Sequence, residues 1–491
     1  MGYLKAMSIL LVMITSSELL AYSEYDDLYG PPNFVTIEIT TRGVPLFVNH
    51  LNQGSNQYLV VIERGGDGQN HCLIEVFRYT VGNGIELIDT DSMNCLLRNS
   101  AIGDFNNDGK WDLAVADMSS GALGIWLGDG QGHISYSGSY DCSTPSPDRV
   151  TTGDLDEDGD LDILITDWAY AKVILMKNDG NGAFTFDQEL DVGGGPQELV
   201  IYDFNGDEHL DGIIATMTYN VAIQAFGNGN GNFLNPEIYA IGFDGYTSSL
   251  TDLDEDGILD YVCGTGQDIS VFRGRQSGIF QRPKISFGHG FGPIQYRCVV
   301  GDFDGDYHQD VFSFIRGETS EGPSKIQFWF GNGAMNLYPS DQLDITGISI
   351  PGEIWPLAAD LDLDGVTDVI IPCNDPDQRS VKILLMRPNS PAHEDTPSHM
   401  STPHLGITPN LITNRTQVNF QIASSSGVNI TIYNALGQTV KVLENALLER
   451  GQYTTTWNCQ DLTNHVVANG IYYIKLEADH IRETKKILLL K

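Results

Sequence analysis

The stretch Asp154-Leu-Asp-Glu-Asp-Gly-Asp-Leu-Asp162 places carboxylates at its first, third, fifth and ninth positions, with glycine at the sixth. Five related loops begin at Asp104, Asp203, Asp252, Asp302 and Asp360. Successive loops start 50, 49, 49, 50 and 58 residues apart, and a short apolar run follows each of them. Self-similarity at a period near 50 residues predicts a repeat architecture in which each period forms one structural unit.

The composition of these loops is that of a calcium site. Calcium binds six to eight hard oxygen ligands in a flexible cage. In a tight turn positions 1, 3 and 5 converge, position 7 offers its backbone carbonyl, and position 9 closes the cage. The positions so predicted are Asp104, Asn106, Asp108, Lys110, Asp112, Asp154, Asp156, Asp158, Asp160, Asp162, Asp203, Asn205, Asp207, His209, Asp211, Asp252, Asp254, Asp256, Ile258, Asp260, Asp302, Asp304, Asp306, His308, Asp310, Asp360, Asp362, Asp364, Val366 and Asp368.

Without a cation these loops would be costly. Two carboxylates about 5 Å apart repel by roughly 3 kcal/mol at an effective dielectric constant of 20. Magnesium fits less well, because it demands near-octahedral geometry and keeps its water. The sequence therefore predicts about six structural calcium ions, and the alternative is a set of solvated acidic turns.

Each period also contains the material for one sheet. Short β-rich runs alternate with Gly/Asn/Asp turns such as Gly227-Asn-Gly-Asn-Gly231, which favours antiparallel hairpins and about four strands per period. Extending the period backwards places His50–Tyr58 at the position of a seventh loop that lacks carboxylates. We therefore predict an all-β chain with a seven-bladed β-propeller, because a closed ring removes exposed sheet edges.

Gly103-Asp-Phe-Asn-Asn-Asp-Gly-Lys-Trp-Asp-Leu113 resembles the FG-GAP repeat, also called the VCBS repeat, of integrin α-subunit heads and bacterial surface proteins. The resemblance extends over residues 30–388 and implies a propeller with calcium in hairpin loops on one face. Two loops depart from it, because Glu208 and Tyr307 replace the usual glycine. A side chain is strained there if the position needs a positive φ, so these two sites are expected to be the weakest.

The predicted domain order is an export signal (residues 1–23), the propeller (24–388), a proline-rich linker (389–404) and a small immunoglobulin-like β-sandwich (405–491). The sandwich is predicted from alternating runs such as Gln417–Ile422 and Val428–Tyr433. An apolar run after Lys5, followed by Ala21-Tyr-Ser23, indicates export; an amphipathic start to the mature fold is the alternative. No later stretch is long enough to span a membrane, so the predicted location is the medium or the outer surface of a bacterium.

The last residues resemble the type A sorting domain of the Bacteroidetes type IX (Por) secretion system. The matching pieces are Ile432–Gln438, Gly451–Tyr453, Trp457, Gly470–Lys475 and Lys485–Lys491. The family's opening Pro-Asn-Pro is Pro409-Asn-Leu411 here. The resemblance implies the secretion machinery as a partner, and the alternative is an Ig-like stalk of the flagellar-hook-cap type without a sorting role.

Charge and cysteine content bound the remaining possibilities. A net charge of −38 argues against nucleic-acid binding, which needs clusters of Lys and Arg. Seven cysteines are scattered along the chain. In an oxidising compartment Cys72 and Cys95 can pair across the first repeat; buried free thiols are the alternative.

A partner is expected on the rim opposite the calcium loops, where side chains have no metal to hold. Aromatic side chains interspersed with Arg and Asp suit a glycan or a protein loop, although the tryptophans there can equally pack between blades. The residues expected at this rim are Arg98, Asp117, Arg149, Asp167, Trp168, Gln197, Thr216, Tyr219, Tyr246, Tyr296, Arg297, Arg316, Trp355 and Asn374.

Catalytic motifs are scarce. The chain has no Gly-x-Ser-x-Gly elbow, no His-Glu-x-x-His helix and no phosphate-binding loop. Asp117 and Asp167 are the only carboxylates outside the loops that we consider as a glycosidase pair. The sequence thus favours a non-catalytic binding or adhesion module for glycans or proteins, with a lyase-like polysaccharide enzyme or a structural surface component as alternatives.

Overall fold

A computed structural model of the chain describes residues 13–15, 34–42, 44–53, 56–64, 71–80, 84–93, 95–242, 244–266, 268–282, 284–287, 296–315, 324–345, 355–373 and 379–388, and, towards the C-terminus, residues 404–408, 411–412, 416–422, 426–434, 438–448, 451–462, 465–467, 470–478 and 481–489. Contacts divide the chain into two compact units, Met1–Asn389 and Ser390–Lys491. Every regular element of the described residues is a β-strand. Within these residues we find no helix long and apolar enough to cross a membrane.

The strands of the first unit are β1 (Met13–Thr15), β2 (Phe34–Thr40), β3 (Val44–Gln53), β4 (Asn56–Arg64), β5 (Cys72–Thr80), β6 (Gly84–Met93), β7 (Leu97–Gly103), β8 (Asp112–Asp117), β9 (Ala122–Gly128), β10 (Ile134–Asp141), β11 (Pro147–Gly153), β12 (Asp162–Asp167), β13 (Lys172–Asn178), β14 (Phe184–Asp191), β15 (Pro196–Tyr202), β16 (Asp211–Thr216), β17 (Val221–Gly227), β18 (Phe233–Ala240), β19 (Thr247–Thr251), β20 (Asp260–Gly264), β21 (Ile269–Phe272), β22 (Ile285–Phe287), β23 (Tyr296–Gly301), β24 (Asp310–Ile315), β25 (Ser324–Gly331), β26 (Leu337–Pro339), β27 (Leu343–Ile345), β28 (Leu357–Ala359), β29 (Asp368–Cys373) and β30 (Ser380–Met386).

These strands form seven antiparallel sheets, as the sequence predicts. Blades 1 to 6 have the orders β3-β4-β5-β6, β7-β8-β9-β10, β11-β12-β13-β14, β15-β16-β17-β18, β19-β20-β21-β22 and β23-β24-β25-β26, with β27 also paired to β25. Blade 7 has the order β28-β29-β30-β2-β1. The first strand of each blade contacts the first strand of the next, and β28 contacts β3. The seven first strands therefore surround the centre of a closed ring, which is a seven-bladed β-propeller.

The ring closes through strand β2, which comes before blade 1 in the sequence. All seven residues of β2 pair with β30, from Phe34 opposite Met386 to Thr40 opposite Ser380. Ile37 and Ile39 of β2 are buried in the apolar cluster between blades 7 and 1. The hydrogen bonds of one sheet thus join the two ends of the propeller, and an edge that would otherwise face solvent is covered.

Packing between blades is built from the second and third strands. In β8 the run Leu113–Ala116 is fully buried, whereas the outer strand β14 is exposed or half-buried after its first residue, Phe184. Ile125 of blade 2 packs in one cluster with Ile163 and Met176 of blade 3. Each such buried side chain stabilises the ring by about 1.5–3 kcal/mol relative to an exposed one.

The first repeat departs from the sequence prediction. His50 pairs with Leu59 and Gln53 with Asn56, so β3 and β4 continue through the stretch that we predicted to be a loop. Only residues 54–55 separate the two strands, and they lie outside the described residues. The prediction of a nine-residue loop was wrong because His50–Gln53 and Asn56–Tyr58 satisfy their backbone groups as a hairpin.

The N-terminal prediction falls mostly outside the described residues, which include only Met13–Thr15 of the proposed export signal. These three residues form β1 at the outer edge of blade 7, paired with β2. Because β1 is a fifth strand on that sheet, its removal with an export signal would leave four strands in the blade.

All seven cysteines are buried free thiols in the structure. Cys72 and Cys95 are close neighbours, since Cys72 Sγ donates a hydrogen bond to Cys95 O over 3.0 Å. Of the two alternatives that the sequence left open, the structure has the reduced one.

The second unit is a β-sandwich. Its strands are β31 (His404–Thr408), β32 (Leu411–Ile412), β33 (Thr416–Ile422), β34 (Ser426–Asn434), β35 (Thr439–Leu448), β36 (Gly451–Trp457), β37 (Gly470–Ala478) and β38 (Ile481–Leu489). They form the sheets β31-β33-β36 and β32-β38-β37-β34-β35. The core between them includes Ile430, Trp457, Tyr472 and Ile474, with the rings of Trp457 and Tyr472 5.1 Å apart. Residues 389–403 of the predicted linker lie outside the described residues, and His404 begins β31.

Candidate functional site

The six acidic loops join the first strand of a blade to its second strand. The aspartate at position 1 folds the loop over itself: Asp252 Oδ1 accepts a hydrogen bond from Asp256 N at 3.1 Å, and Oδ2 accepts one from Gly257 N at 2.8 Å. The aspartate at position 5 accepts a hydrogen bond from the amide of position 7 in all six loops. These bonds leave the side chains of positions 1 and 3 directed into the turn, where a cation can be bound.

The aspartate at position 9 has a structural role that the sequence analysis missed. Asp211 is fully buried; its Oδ2 accepts a hydrogen bond from Phe204 N at 3.0 Å and its Oδ1 accepts one from Gly227 N at 2.8 Å. The other five position-9 aspartates make the same pair of bonds. Position 9 therefore ties the loop to the third strand of its blade or to the turn that follows it. The signal was present in the sequence as a carboxylate in front of an apolar run.

Four of the loops bring three carboxylates together with ligand atoms within 4.8 Å of one another. In the first and third loops position 3 is Asn106 or Asn205, an amide in place of the carboxylate. The clustered residues are Asp154, Asp156 and Asp162; Asp252, Asp254 and Asp260; Asp302, Asp304 and Asp306; and Asp360, Asp362 and Asp368.

Unpaired oxygens show that these clusters fit a cation. Asp154 Oδ1, Asp156 Oδ1, Asp254 Oδ1 and Asp362 Oδ1 are buried and have no hydrogen-bond partner in the structure. A buried carboxylate oxygen without a partner is unstable unless a proton or a cation neutralises it. The clusters are thus compatible with calcium, which would be bound by carboxylate oxygens of positions 1, 3 and 5 or 9.

Burial and crowding also raise the pKa values of several loop carboxyls. Desolvation raises the pKa of Asp260 and Asp302 to about 7 and that of Asp368 to about 8, and neighbouring aspartates add to each shift. In Asp260 and Asp368 two backbone amides oppose the shift without cancelling it. A divalent cation would favour the ionised form of all three groups.

Basic side chains beside three clusters were missed by the sequence analysis. Arg273 contacts Asp254 (Nε to Oδ2, 2.5 Å), and Arg387 contacts Asp362 (Nη1 to Oδ2, 2.7 Å). Lys177 Nζ lies 2.9 Å from Asp156 Oδ2. Each of the three residues follows the central apolar run of its blade's third strand, which is the sequence signal that could have located it. They neutralise part of the charge on position 3 while its other oxygen stays free.

Every loop has two residues with positive φ, at positions 4 and 6, and one of the two is always glycine. In the third and fifth loops the glycine is at position 4 (Gly206 and Gly305), while Glu208 and Tyr307 at position 6 have φ of 74° and 73°. In the other four loops the glycine is at position 6, and Asn107, Glu157, Glu255 and Leu363 at position 4 have positive φ. Our expectation that Glu208 and Tyr307 mark weaker loops therefore lacks its basis, since all six loops share the same strain.

This arrangement predicts the effect of Glu208→Gly. A side chain at a φ of 74° is strained, so glycine there should raise the free energy of unfolding by about 0.5–1 kcal/mol. Chemical denaturation of the calcium-loaded chain measures the change. The same substitution at the exposed Glu189 in strand β14 is the control and should lower the free energy of unfolding. Equal effects at both positions would contradict the claim that the positive φ strains Glu208.

Side chains of neighbouring loops also contact each other. Asn107 Nδ2 donates a hydrogen bond to Asp160 Oδ1 at 2.6 Å, and His308 Nδ1 lies 2.5 Å from Glu255 Oε1. His209 and Glu157 form a third pair of the same kind. In each pair position 4 of one loop contacts position 7 of the next, so the side chains at position 7 link adjacent blades.

The opposite face of the propeller holds a central cavity of about 350 Å³. Its walls come from the starts of the first strands and the ends of the second strands, so all seven blades contribute. The lining residues are Leu46, Arg64, Arg98, Met118, Ser146, Asp148, Arg149, Trp168, Ala169, Gln197, Met217, Tyr246, Arg297 and Trp355. This volume lies within the roughly 300–1,000 Å³ of typical ligand pockets.

Seven of the residues expected at the rim line this cavity together: Arg98, Arg149, Trp168, Gln197, Tyr246, Arg297 and Trp355. Arg316 and Asn374 lie outside the described residues, as does the side chain of Tyr296. Tyr219 is 62% exposed outside the cavity, and Thr216 is buried, donating a hydrogen bond to Val221 O.

Asp117 and Asp167, the two carboxylates considered for glycoside cleavage, are used by turns. Asp117 accepts hydrogen bonds from Leu96 N (3.0 Å), Ser119 and Ser120, and Asp167 accepts them from Thr144 and Tyr170 N (2.8 Å). Neither lines the cavity. The structure therefore gives both carboxylates a structural role.

Residues 104–165, 154–214 and 252–313 match the FG-GAP-like repeat. The match confirms the resemblance for three of the repeats. Residues 408–480 match the FlgD Ig-like domain, which agrees with the sandwich of the second unit. The sorting role stays a prediction.

Among curated proteins, none matches the sequence. Similar solved structures include BBS1N in complex with ARL6DN, in a mercury-soaked crystal (TM-score 0.48, 9% identity, 71% of this chain and 94% of that chain) and a lead-soaked one (0.47, 10%, 71% and 94%). A protein from Lactobacillus plantarum is similar at a TM-score of 0.45 and 13% identity, over 63% of this chain and 86% of that chain. The seven-bladed fold itself is established by the strand order.

Proposed function

We propose that this chain is an exported, calcium-stabilised propeller that acts as a non-catalytic binding or adhesion module for a glycan or a protein. The observation that carries the proposal is the central cavity, to which every blade contributes side chains. A site of this kind joins apolar area to a few polar groups, as in ligand pockets generally. The acidic loops lie at the other end of the strands, so metal and ligand occupy separate faces.

Calcium has a structural role in this proposal. Three clusters contain buried oxygens without partners, and each loop holds the start of a strand that packs in the core. The ligands of such a site come together only in the folded chain, so the free energy of binding the cation adds to the free energy of unfolding. Calcium would then set the rigidity of the ring, and with it the shape of the cavity on the far face.

The C-terminal sandwich is proposed to direct export through a type IX secretion system to the cell surface or the medium. The support is the sequence resemblance at Ile432–Gln438 and Gly470–Lys475. In the structure Ile432 and Ile474 are paired core residues of adjacent strands, so these stretches also carry the fold. Deleting residues 405–491 should keep the protein inside a type IX-competent host, and secretion of the truncated chain would contradict the sorting role.

The binding role is tested with Trp168→Ala. Trp168 lines the cavity and is 51% exposed, so its loss removes contact area for a ligand without opening the core. On arrays of glycans and surface proteins we expect at least tenfold weaker binding to whichever ligand the unaltered chain selects. The control is Phe186→Ala, an aromatic that is 40% exposed on the outer strand of the same blade. Equal binding by both variants, or no ligand on either array, would contradict the proposal.

A further inference from the structure

The central cavity concentrates positive charge in a strongly acidic chain. The chain has 27 Lys and Arg against 65 Asp and Glu. Four arginines nevertheless line one cavity, namely Arg64, Arg98, Arg149 and Arg297, and Asp148 is the one acidic residue among the described lining residues. Four arginines in one cavity are notable in a chain this acidic. The cavity attracts anions, while the acidic outer surface repels them.

Two of these arginines are buried against one tryptophan. Arg149 is 7% exposed and Arg297 is 2% exposed. Their guanidinium carbons lie 3.4 Å and 3.7 Å from the centre of the Trp355 ring. Two guanidinium groups this close to one ring cannot share a face, so Trp355 is held between them. The stacking offsets part of the desolvation of both charges.

Within the described part of the chain, Arg149 has no ion-pairing partner in this arrangement. Burial lowers the pKa of Arg149 and lowers that of Arg297 to about 9. Among the described residues no carboxylate lies within ion-pairing distance of Arg149. The nearby Glu198 is half-buried, and its Oε2 accepts a hydrogen bond from Ser248 N at 3.1 Å. A buried guanidinium group without an ion-pairing partner is destabilising, and a negative group beside Arg149 would offset this cost.

Two donors in the cavity wall have no acceptor. The Nε of Arg149 and the Nε1 of Trp355 are buried and make no hydrogen bond with any described residue. Leaving such a buried donor unpaired is destabilising, because its hydration is lost and no hydrogen bond replaces it. A carboxylate supplies two coplanar oxygens, which is the geometry that a guanidinium group binds best.

Exposed aromatic rings lie at the cavity mouth and beyond it, and we call them the aromatic ledge. It consists of Trp168, Tyr170 and Tyr219, which are 51%, 57% and 62% exposed. Gly195 lies against the indole of Trp168, and Gly193 and Gly194 lie against the ring of Tyr219, so the ledge continues from blade 3 to blade 4. Flat, amphipathic rings beside polar groups suit the apolar faces of sugar rings.

We propose that the ligand is a carboxylated oligosaccharide, bound with a carboxylate at Arg149 in the cavity and with sugar rings over the aromatic ledge. This inference rests on the proposed binding function and narrows it to one ligand class. The acidic outer surface repels a long polyanion, so the cavity takes the end of a chain or a short oligomer. Because the contact is an ion pair, binding weakens with salt and when the ligand's carboxyl is protonated.

The test is calorimetric titration of the full chain in calcium buffer. The probes are oligomers of galacturonate, mannuronate and hyaluronan, together with sialyllactose, each paired with a neutral counterpart whose carboxyls are methyl-esterified or reduced. We expect at least one acidic oligomer to bind at least tenfold more tightly than its neutral counterpart. Arg149→Gln should abolish this preference, and Arg98→Gln at the cavity mouth should reduce it severalfold. Arg282→Gln, at a surface residue paired with Glu237, is the control and should change nothing.

Arg98→Gln keeps the test decisive if Arg149→Gln fails to fold, since the Arg98 side chain is 37% exposed. Equal binding of acidic and neutral partners overturns the carboxylate assignment but leaves a glycan-binding module. Binding of a hexaglutamate peptide in place of every oligosaccharide overturns it in favour of an acidic protein partner. Binding of nothing, on these probes and on the arrays above, overturns the proposed function itself.

Discussion

Chelation of calcium is expected to lower the midpoint of thermal unfolding of the propeller by about 10 °C or more at pH 7.5. With dissociation constants of roughly 10⁻⁴ to 10⁻³ M, each loop filled at 5 mM calcium contributes about 1–2 kcal/mol. Six loops then contribute on the order of 10 kcal/mol, and each kcal/mol moves the midpoint by roughly 2 °C in a large domain. Calorimetry with and without chelator measures the shift, and metal analysis counts the ions.

A single-loop variant shows whether the loops bind separately. Asp154→Asn removes one charge from a cluster that contains two unpaired oxygens. It should lower the calcium count by one and the calcium-dependent stability by about 1–2 kcal/mol. Asp344→Asn, an exposed change on strand β27, is the matched control. If the unaltered chain binds no metal and shows no shift on chelation, the loops are acidic turns without a calcium role.

The size of the calcium effect should depend on pH in a defined direction. The pKa values of Asp260, Asp302 and Asp360 are about 7 in the folded chain, well above their usual range. A carboxyl whose pKa is raised on folding stabilises the metal-free chain at low pH, and this contribution is lost as the pH rises through the folded value. The chelated chain should therefore be more stable at pH 5.5 than at pH 8. Calcium, which binds the ionised form, should stabilise more at pH 8.

Asp211→Asn is expected to lower the free energy of unfolding by about 2–4 kcal/mol with calcium or with chelator. Asp211 is fully buried, and its two oxygens accept hydrogen bonds from Phe204 N and Gly227 N. Asparagine keeps one acceptor and turns an NH₂ group towards the other amide, which leaves two buried donors facing each other. Chemical denaturation in both buffers measures the loss.

The comparison that separates fold from metal binding is Asp207→Asn in the same loop. Asp207 is exposed; its Oδ1 accepts a hydrogen bond from His209 N and its Oδ2 accepts one from Asn205 Nδ2, both at 3.0 Å. In chelator this variant should lose less than about 1 kcal/mol. A loss for Asp211→Asn that appears only with calcium would show that position 9 acts as a ligand alone, contrary to the hydrogen bonds that it makes.

The regular features of the propeller were predictable because each repeats a local physical requirement. Alternate carboxylates before an apolar run place a turn in front of a buried strand, and six copies of that pattern fix the blades. Seven of the expected rim residues line the cavity because the direction of a strand decides which of its ends lies on which face of the ring. The positions of the loops and the directions of the strands were enough to predict these lining residues.

Features that depend on distant partners were not predictable from the pattern. Nothing local to Phe34–Thr40 shows that this strand completes blade 7, because its partner lies at the far end of the propeller. The sequence shows that glycine is at position 4 in some loops and at position 6 in others, but only the φ angles show that both positions are left-handed in every loop. The stacking of Arg149 and Arg297 on Trp355 joins residues of three blades, and the sequence contains no signal for such a pairing.

The closure of the ring by β2 has a consequence for the order in which the molecule forms. Phe34 pairs with Met386, so β2 is made early and finds β30 only when almost the whole propeller has been synthesised. Until then the growing chain is an open row of blades, and both β2 and the last completed blade offer unpaired edges to other chains. Closing the ring thus brings together two strands that are separated by almost the whole propeller sequence, and this step comes last. The interval before that step is when this protein is most exposed to mispairing and in greatest need of a chaperone.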